Sequence, residues 1–199
     1  MSILLLSGSP SSPSRSSRLL SHIGQRLNAH GQRTVSIHVR DLPAQALLHA
    51  DFGDPELQAA QQILKQADAI VIATPIYKAA YSGLLKTFLD VLPQEGLAGK
   101  IVLPLAVGGG QSHMLALDYG LRPILQALGA HHVLQSIYAT EPQIVWNDIS
   151  GLQIASEIEK RVEQGVNALL DSLQCHYAQT GKRSAEEGKE VDAPTAVTA

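Results

Sequence analysis

Apolar residues along the chain alternate between two spacings, and that alternation predicts the order of elements. Ile3, Leu4, Leu5 and Leu6 form a short unbroken apolar run, the mark of a buried strand over 3–7. Residues 16–30 carry Leu19, Leu20, Ile23 and Leu27 at helical spacing, and Gly31 ends them. Val35, Ile37 and Val39 alternate within 34–39, a second strand. Asp54-Pro55-Glu56 is a cap with proline at the first helical position, opening a helix to about residue 67. Residues 69–74 read as a buried strand, and 82–92 as a helix stopped by Pro93. Residues 101–107 read as a strand running into Gly108-Gly109-Gly110. A helix over 114–128 stopped by Gly129, a fifth strand over 133–138 and a last helix over 152–175 complete the pattern. From Thr180 onward large apolar residues almost vanish and the periodicity is lost. One domain over 1–179 and a disordered tail over 180–199 are therefore expected.

Five short strands alternating with helices imply an α/β fold, a parallel sheet with helices on both faces. The flavodoxin-like strand order 2-1-3-4-5 suits that count. Its ligand sits outside the carboxyl ends of the strands, at the switch point between the first and third. The loops arriving there are 8–17, 75–82 and 108–113, all rich in Gly, Ser, Pro or Tyr.

The first loop, GSPSSPSRSSRLL, opens a helix directly after the first strand. Backbone N–H groups, hydroxyls and the helix N-terminus converge at such a junction and favour an anion. No G-x-x-x-x-G-K-[ST] is present for a γ-phosphate and Mg²⁺, and no G-x-G-x-x-G for a dinucleotide pyrophosphate. A serine-lined first loop points instead to a mononucleotide with one terminal phosphate, such as FMN. The same serines also suit helix capping, for which one suffices, and Ser9-Pro10 and Ser12-Pro13 suit plain turns.

In the second loop Pro75 stiffens the turn, Tyr77 and Tyr81 offer faces for a planar ring, and Lys78 counters negative charge. A flavin asks for such a flat surface, with donors along its polar edge. Taken singly, the tyrosines also read as packing residues and Lys78 as a solvated charge. Gly108, Gly109 and Gly110 permit close backbone approach to a ligand or, equally, a flexible turn.

Composition narrows the rest. The net charge is -3 with no long basic run, so nucleic acid and a membrane are not expected partners. No stretch is apolar enough for a membrane span or a signal peptide, and the expected compartment is the cytoplasm. The single cysteine, Cys175, leaves no internal disulfide and no zinc cluster. The chain has one Cys and two Met, which reads either as compositional drift or as a protein made when sulfur is scarce.

G-S-P-x-x-x-S-x-S near the start, T-P-I-Y-K-A-A-Y-S-G-L-L-K-T-F-L-D in the middle and the glycine turn resemble the NAD(P)H-dependent FMN reductase family of flavodoxin-like proteins. A-L-D-Y-G-L-R-P-I-L-Q-A-L looks closest to the reductase component of two-component alkanesulfonate monooxygenase systems. The resemblance implies that Ser9, Ser14, Ser16 and Ser17 hold the FMN phosphate. It implies that Pro75, Ile76, Tyr77 and Lys78 line the isoalloxazine, with Gly108 and Gly109 under its polar edge. Much of the family has an arginine where this chain has Ser11, and Arg15 is the candidate substitute.

The activity so implied is reduction of FMN by NADPH through hydride transfer, with reduced flavin passed to a flavin-dependent alkanesulfonate monooxygenase in sulfur acquisition. Such chemistry rests on cofactor stacking, so no catalytic side chain and no metal are expected. The alternatives are a quinone or azo reductase with tightly bound FMN, and a non-enzymatic flavodoxin-type electron carrier. Two features of the helix 114–128 complete the expectation. Its apolar circumference suggests a homodimer or homotetramer interface. Pro123 cannot donate to the carbonyl of Tyr119, and Gly120 weakens the helix beside it, which favours a π-bulge. By resemblance, Tyr119 is an inserted residue at a subunit interface near the flavin.

Overall fold

Ile3, Leu4, Leu5 and Leu6 are all buried, so the first strand is covered on both sides and needs no polar alternation. In the computed structural model, which describes residues 2–149 and 151–190 (from 179 by backbone alone), this run is β1, Ser2–Ser7. It is flanked by two parallel partners, β2 (Arg33–His38) and β3 (Ala69–Tyr77). Next to β3 lies β5 (Ile101–Gly108), again parallel, and the far edge is shared by β6 (His132–Val133) and β7 (Ile137–Thr140). With β6 and β7 taken as one interrupted strand, the order is the flavodoxin-like 2-1-3-4-5 expected from the sequence.

Side-chain alternation sorts the core into two layers. Ile3, Leu5, Ala69, Val71, Leu103 and Leu105 pack against α1 (Arg15–Ala29) and α6 (Ser156–Glu190). Leu4, Leu6, Ile70, Ile72 and Val102 pack on the other face, against α3 (Pro55–Gln66), α4 (Gly83–Asp90) and α5 (Arg122–Ala127). A further short helix, α2 (Ala44–His49), joins that second layer through Ala46 and Leu47.

The fifth strand is broken rather than continuous, and Pro104 supplies a reason. Leu134 N–H donates to Val102 O at 2.8 Å, so Val102 turns its polar groups toward the edge strand. Two residues on, Pro104 faces the same way but has no N–H to give. In a parallel ladder that N–H would have gone to Leu134 O. Arg122 takes its place, donating to Leu134 O at 3.0 Å and to Val133 O at 2.9 Å. The strand partners then shift by one residue, from Ile101↔His132 to Leu105↔Ile137, a bulge.

Three other expectations change. The helix expected over 114–128 starts later, and the expected π-bulge forms a π-helical turn at Leu117–Leu121 followed by the short α5. The last helix starts at Ser156, because Leu152 and Ile154 lie on β9 (Gly151–Ile154), paired antiparallel with β8 (Ile144–Asn147). It passes the expected end at Cys175 and runs to Glu190, into the segment where disorder was expected. Residues 191–199 of that segment lie outside the described residues.

Candidate functional site

The site is built where β1, β3 and β5 end. Beyond Ser7 the chain leaves the sheet through Gly8, whose N–H donates to Ala73 O at 2.8 Å. A Cβ on Gly8 would lie 2.6 Å from Leu85 Cβ, so only glycine lets the first loop pass over α4. Ser82 ties the first two loops together. Its hydroxyl donates to Gly8 O and accepts from Leu85 N–H at 3.1 Å, while its own N–H donates to Thr74 Oγ1 at 3.0 Å. Both Thr74 and Ser82 are fully buried, and this polar clamp was not anticipated from the sequence.

Ser14 caps α1, its Oγ accepting from Ser17 N–H at 3.4 Å and lying 2.9 Å from Ser16 Oγ. The first turn carries no acidic residue. The amides of Arg15 and Ser16 have no acceptor within the helix and point out of its positive end. Ser9 and Ser16 are each 1% exposed, so their hydroxyls are held by the fold rather than by water. Both line one cavity of about 130 Å³ with Ser11, Pro13, Ser14 and Arg15 from the first loop. Pro75, Ile76 and Tyr77 line it from β3, Val107 from β5, and Glu141 from the turn after β7. Arg15 meets Glu141 at 3.4 Å and donates through Nε to Ile144 O at 3.2 Å.

Not every expected residue reaches this cavity. Ser17 turns the other way, 2.8 Å from Ser7 Oγ, and serves the packing of α1 on β1. Lys78 sits at the tip of a hairpin where the sequence predicts a loop. Ile76 pairs with Tyr81 and Tyr77 with Ala80, the latter two residues forming β4 (Ala80–Tyr81). The two residues between, Lys78 and Ala79, have φ of 50° and 64°. A type I′ turn asks for that at both central positions, normally from Asn or Gly, so this turn holds backbone strain beside the site. Gly108, Gly109 and Gly110 follow Val107 but lie outside the cavity lining. Gly108 is required by the protein itself, since a Cβ there would lie 2.3 Å from Tyr138 Oη. Burial raises the pKa of that hydroxyl, which donates to Gly110 O and so fixes the glycine turn. Gly109 and Gly110 have open space where a Cβ would stand.

The hairpin leads to the π-helical turn. Arg122 N–H donates to Leu117 O, five residues back, which is the wide hydrogen bond that defines it. Tyr81 packs there, its ring 3.7 Å from where a Cβ on Gly120 would be. Burial is the main cause raising the pKa of Tyr81. Tyr119, next to Gly120, projects outward and is 79% exposed.

This arrangement gives an anion the hydroxyls of Ser9, Ser14 and Ser16 from the first loop, two helix amides and one guanidinium, and beside them the ring and edge of Tyr77 and Pro75. A phosphate monoester carrying a planar aromatic group matches both halves. Residues 1–143 match the family model described as NADPH-dependent FMN reductase. The chain belongs to the NADPH-dependent FMN reductase family. It is 44% identical over 184 residues to the FMN reductase (NADPH) of Pseudomonas putida, covering 92% of this chain and 90% of that one. It is 45% identical over 145 residues to the FMN reductase (NADPH) of Escherichia coli K12, covering 73% and 76%. Among solved structures, an apo NADH:FMN oxidoreductase (EMOB) superposes with a TM-score of 0.78 at 40% identity, covering 86% and 89% of the two chains. This reductase is therefore an oxidoreductase that uses FMN and NADPH.

A larger cavity in the reductase, about 320 Å³, lies away from the three loops. It sits at the broken fifth strand, between Asp118 of the π-helical turn and Arg161 of α6. The β8–β9 hairpin packs on α1, where the Arg18 guanidinium lies 4.0 Å from the centre of the Trp146 ring. Among the described residues no helix is long and apolar enough to cross a membrane.

Proposed function

We propose that the reductase binds FMN across the carboxyl ends of β1 and β3 and releases it, reduced, to a flavin-dependent alkanesulfonate monooxygenase. Ser9, Ser14 and Ser16 hold the phosphate through their hydroxyls, with the amides of Arg15 and Ser16, and Arg15 supplies the positive charge. Pro75, Ile76 and Tyr77 carry the isoalloxazine, Lys78 stands at its rim, and the turn Gly108-Gly109-Gly110 faces its polar edge. Ser17 has a supporting place, through Ser7. The flavin, when bound, accepts a hydride from NADPH; the protein's part is to align the two rings and exclude water between them. The observation that carries this reading is the meeting of the first and second loops in one cavity at the topological switch point.

Sulfur acquisition is supported by the single cysteine and two methionines and by the A-L-D-Y-G-L-R-P-I-L-Q-A-L segment. Relatives at lower identity include the NADH-dependent FMN reductases SfnF and SfnE of Pseudomonas putida, at 31% and 29%. The reductase works in the cytoplasm as a homodimer or homotetramer, and the exposed Tyr119 on the π-helical turn belongs to the contact between subunits near the flavin. The test is NADPH oxidation by purified protein with and without added FMN, together with its visible spectrum. Oxidation that depends on added FMN supports the reading. A yellow protein whose oxidation of NADPH needs only a quinone or azo dye would replace it with a tightly bound flavoenzyme. A yellow protein that does not oxidise NADPH would point to an electron carrier.

A further inference from the structure

Among the residues lining the phosphate cavity, Arg15 is the one cation and Glu141 the one anion. An anionic side chain is out of place in a site for an anion unless it has a task there. The two meet at 3.4 Å, a loose pairing, with side chains 51% and 55% exposed. Arg15 is drawn the same way by Ile144 O, which accepts from its Nε at 3.2 Å. Its guanidinium is thus turned to the β7–β8 side. The nearby Arg40 offers no replacement, because it donates to Ser11 O and pairs with Asp41 at 3.3 Å.

Resting on the reading of this cavity as the FMN phosphate site, we propose that Glu141 is a counter-anion for Arg15 that the phosphate must displace. Each binding event exchanges one partner of Arg15 for another, and each release lets Glu141 return. The net gain from the guanidinium is small, and the residual repulsion between carboxylate and phosphate reduces it further. Glu141 therefore keeps FMN an exchangeable substrate without disturbing the serines and amides that recognise it. Exposed charge pairs have modest strength, so the expected effect is modest too.

The experiment measures binding of FMN and of riboflavin to the flavin-free protein by quenching of flavin fluorescence, with no NADPH present. It compares the wild type, Glu141→Gln, Arg15→Gln and the double variant. Glu141→Gln is expected to lower the Kd for FMN roughly two- to fivefold and to leave riboflavin unchanged. The gain should shrink in the Arg15→Gln background and as salt is raised. An unchanged Kd for FMN in Glu141→Gln, with the wild type still preferring FMN to riboflavin, overturns the counter-anion and leaves the phosphate site standing. Equal tightening of both flavins also overturns it, because the effect would not act through the phosphate. Equal affinity of the wild type for the two flavins would mean that the phosphate site itself is misplaced. Thermal unfolding of each variant checks that this exposed substitution leaves the fold intact.

Discussion

Gly108→Ala is expected to destabilise the protein, and Tyr138→Phe is expected to relieve most of that effect. The added Cβ would stand 2.3 Å from Tyr138 Oη, 3.1 Å from its Cζ and 3.3 Å from Ile76 Cβ. No carbon and oxygen tolerate the first distance, so the phenol must move. Tyr138 is 4% exposed and its hydroxyl donates to Gly110 O, so moving it disturbs packing and leaves a carbonyl without its donor. Overpacking of this kind costs about 1–3 kcal/mol, and the lost hydrogen bond adds roughly 0.5–1.5 kcal/mol. The single substitution should then cost about 2–4 kcal/mol. Tyr138→Phe alone gives up the hydrogen bond but removes the oxygen that the Cβ would strike. In that background Gly108→Ala should cost no more than about 1–2 kcal/mol, for the remaining approach to the ring carbon. Urea unfolding of the four proteins without flavin measures the coupling, expected to exceed about 1 kcal/mol. Strict additivity would refute the claim that Gly108 is glycine because of Tyr138, and would return the residue to a role toward the ligand alone.

Three further outcomes follow from particular contacts. Arg122→Ala should destabilise by about 1.5–3 kcal/mol by stripping the donors from Val133 O and Leu134 O. Pro104→Ala should soften that loss in a double-mutant cycle by restoring a ladder N–H, and equal losses in both backgrounds would sink the explanation of the broken strand. Burial tends to raise the pKa of Asp68, but the Tyr177 hydroxyl and the Ser2 N–H outweigh it and hold the carboxyl below its ordinary 3.8. The same bond, first among the causes, lifts Tyr177 to about 12 from 10.0. A depressed acid stabilises above its unfolded pKa and a raised phenol below its own, so stability should fall below about pH 4 and again between about pH 10 and 12. Tyr177→Phe should shrink the alkaline limb to the part owed to Tyr81 and Tyr138 and weaken the acid one, as read by thermal unfolding against pH. Deleting Tyr119 should turn the π-helical turn into regular helix, leave FMN tightly bound and lower reduction of free FMN. A variant that purifies colourless and keeps the original rate would count against the proposed role of Tyr119.

The central strands were legible because burial on both faces writes them as plain apolar runs, as in Ile3 to Leu6 and Ala69 to Ala73. The π-helical turn was legible for a local reason, Pro123 placed after Tyr119 and Gly120. The β3–β4 hairpin was not, because its turn is Lys78-Ala79 instead of the Asn-Gly that normally announces one. The β8–β9 hairpin was missed because Val145, Trp146 and Ile149 remain exposed, so no alternation marks it. The break in the fifth strand depends on Pro104 across the sheet, some thirty residues away, which no local window contains. In the candidate site, the cavity-lining serines of the first loop and the run Pro75 to Tyr77 could be grouped from the sequence by their place after a strand. Glu141 and the clamp of Thr74 and Ser82 were not, since their meaning comes only from what lies opposite them.

The most direct test of the account is the steady-state comparison of FMN with riboflavin as substrates, in the wild type and in Ser14→Ala, with NADPH saturating. Each hydrogen bond to the charged phosphate carries about 1.5–3 kcal/mol. The KM for FMN should lie at least about tenfold below that for riboflavin. Ser14→Ala should raise the KM for FMN and leave that for riboflavin in place. Equal KM values for the two flavins in the wild type would contradict a phosphate site in the first loop.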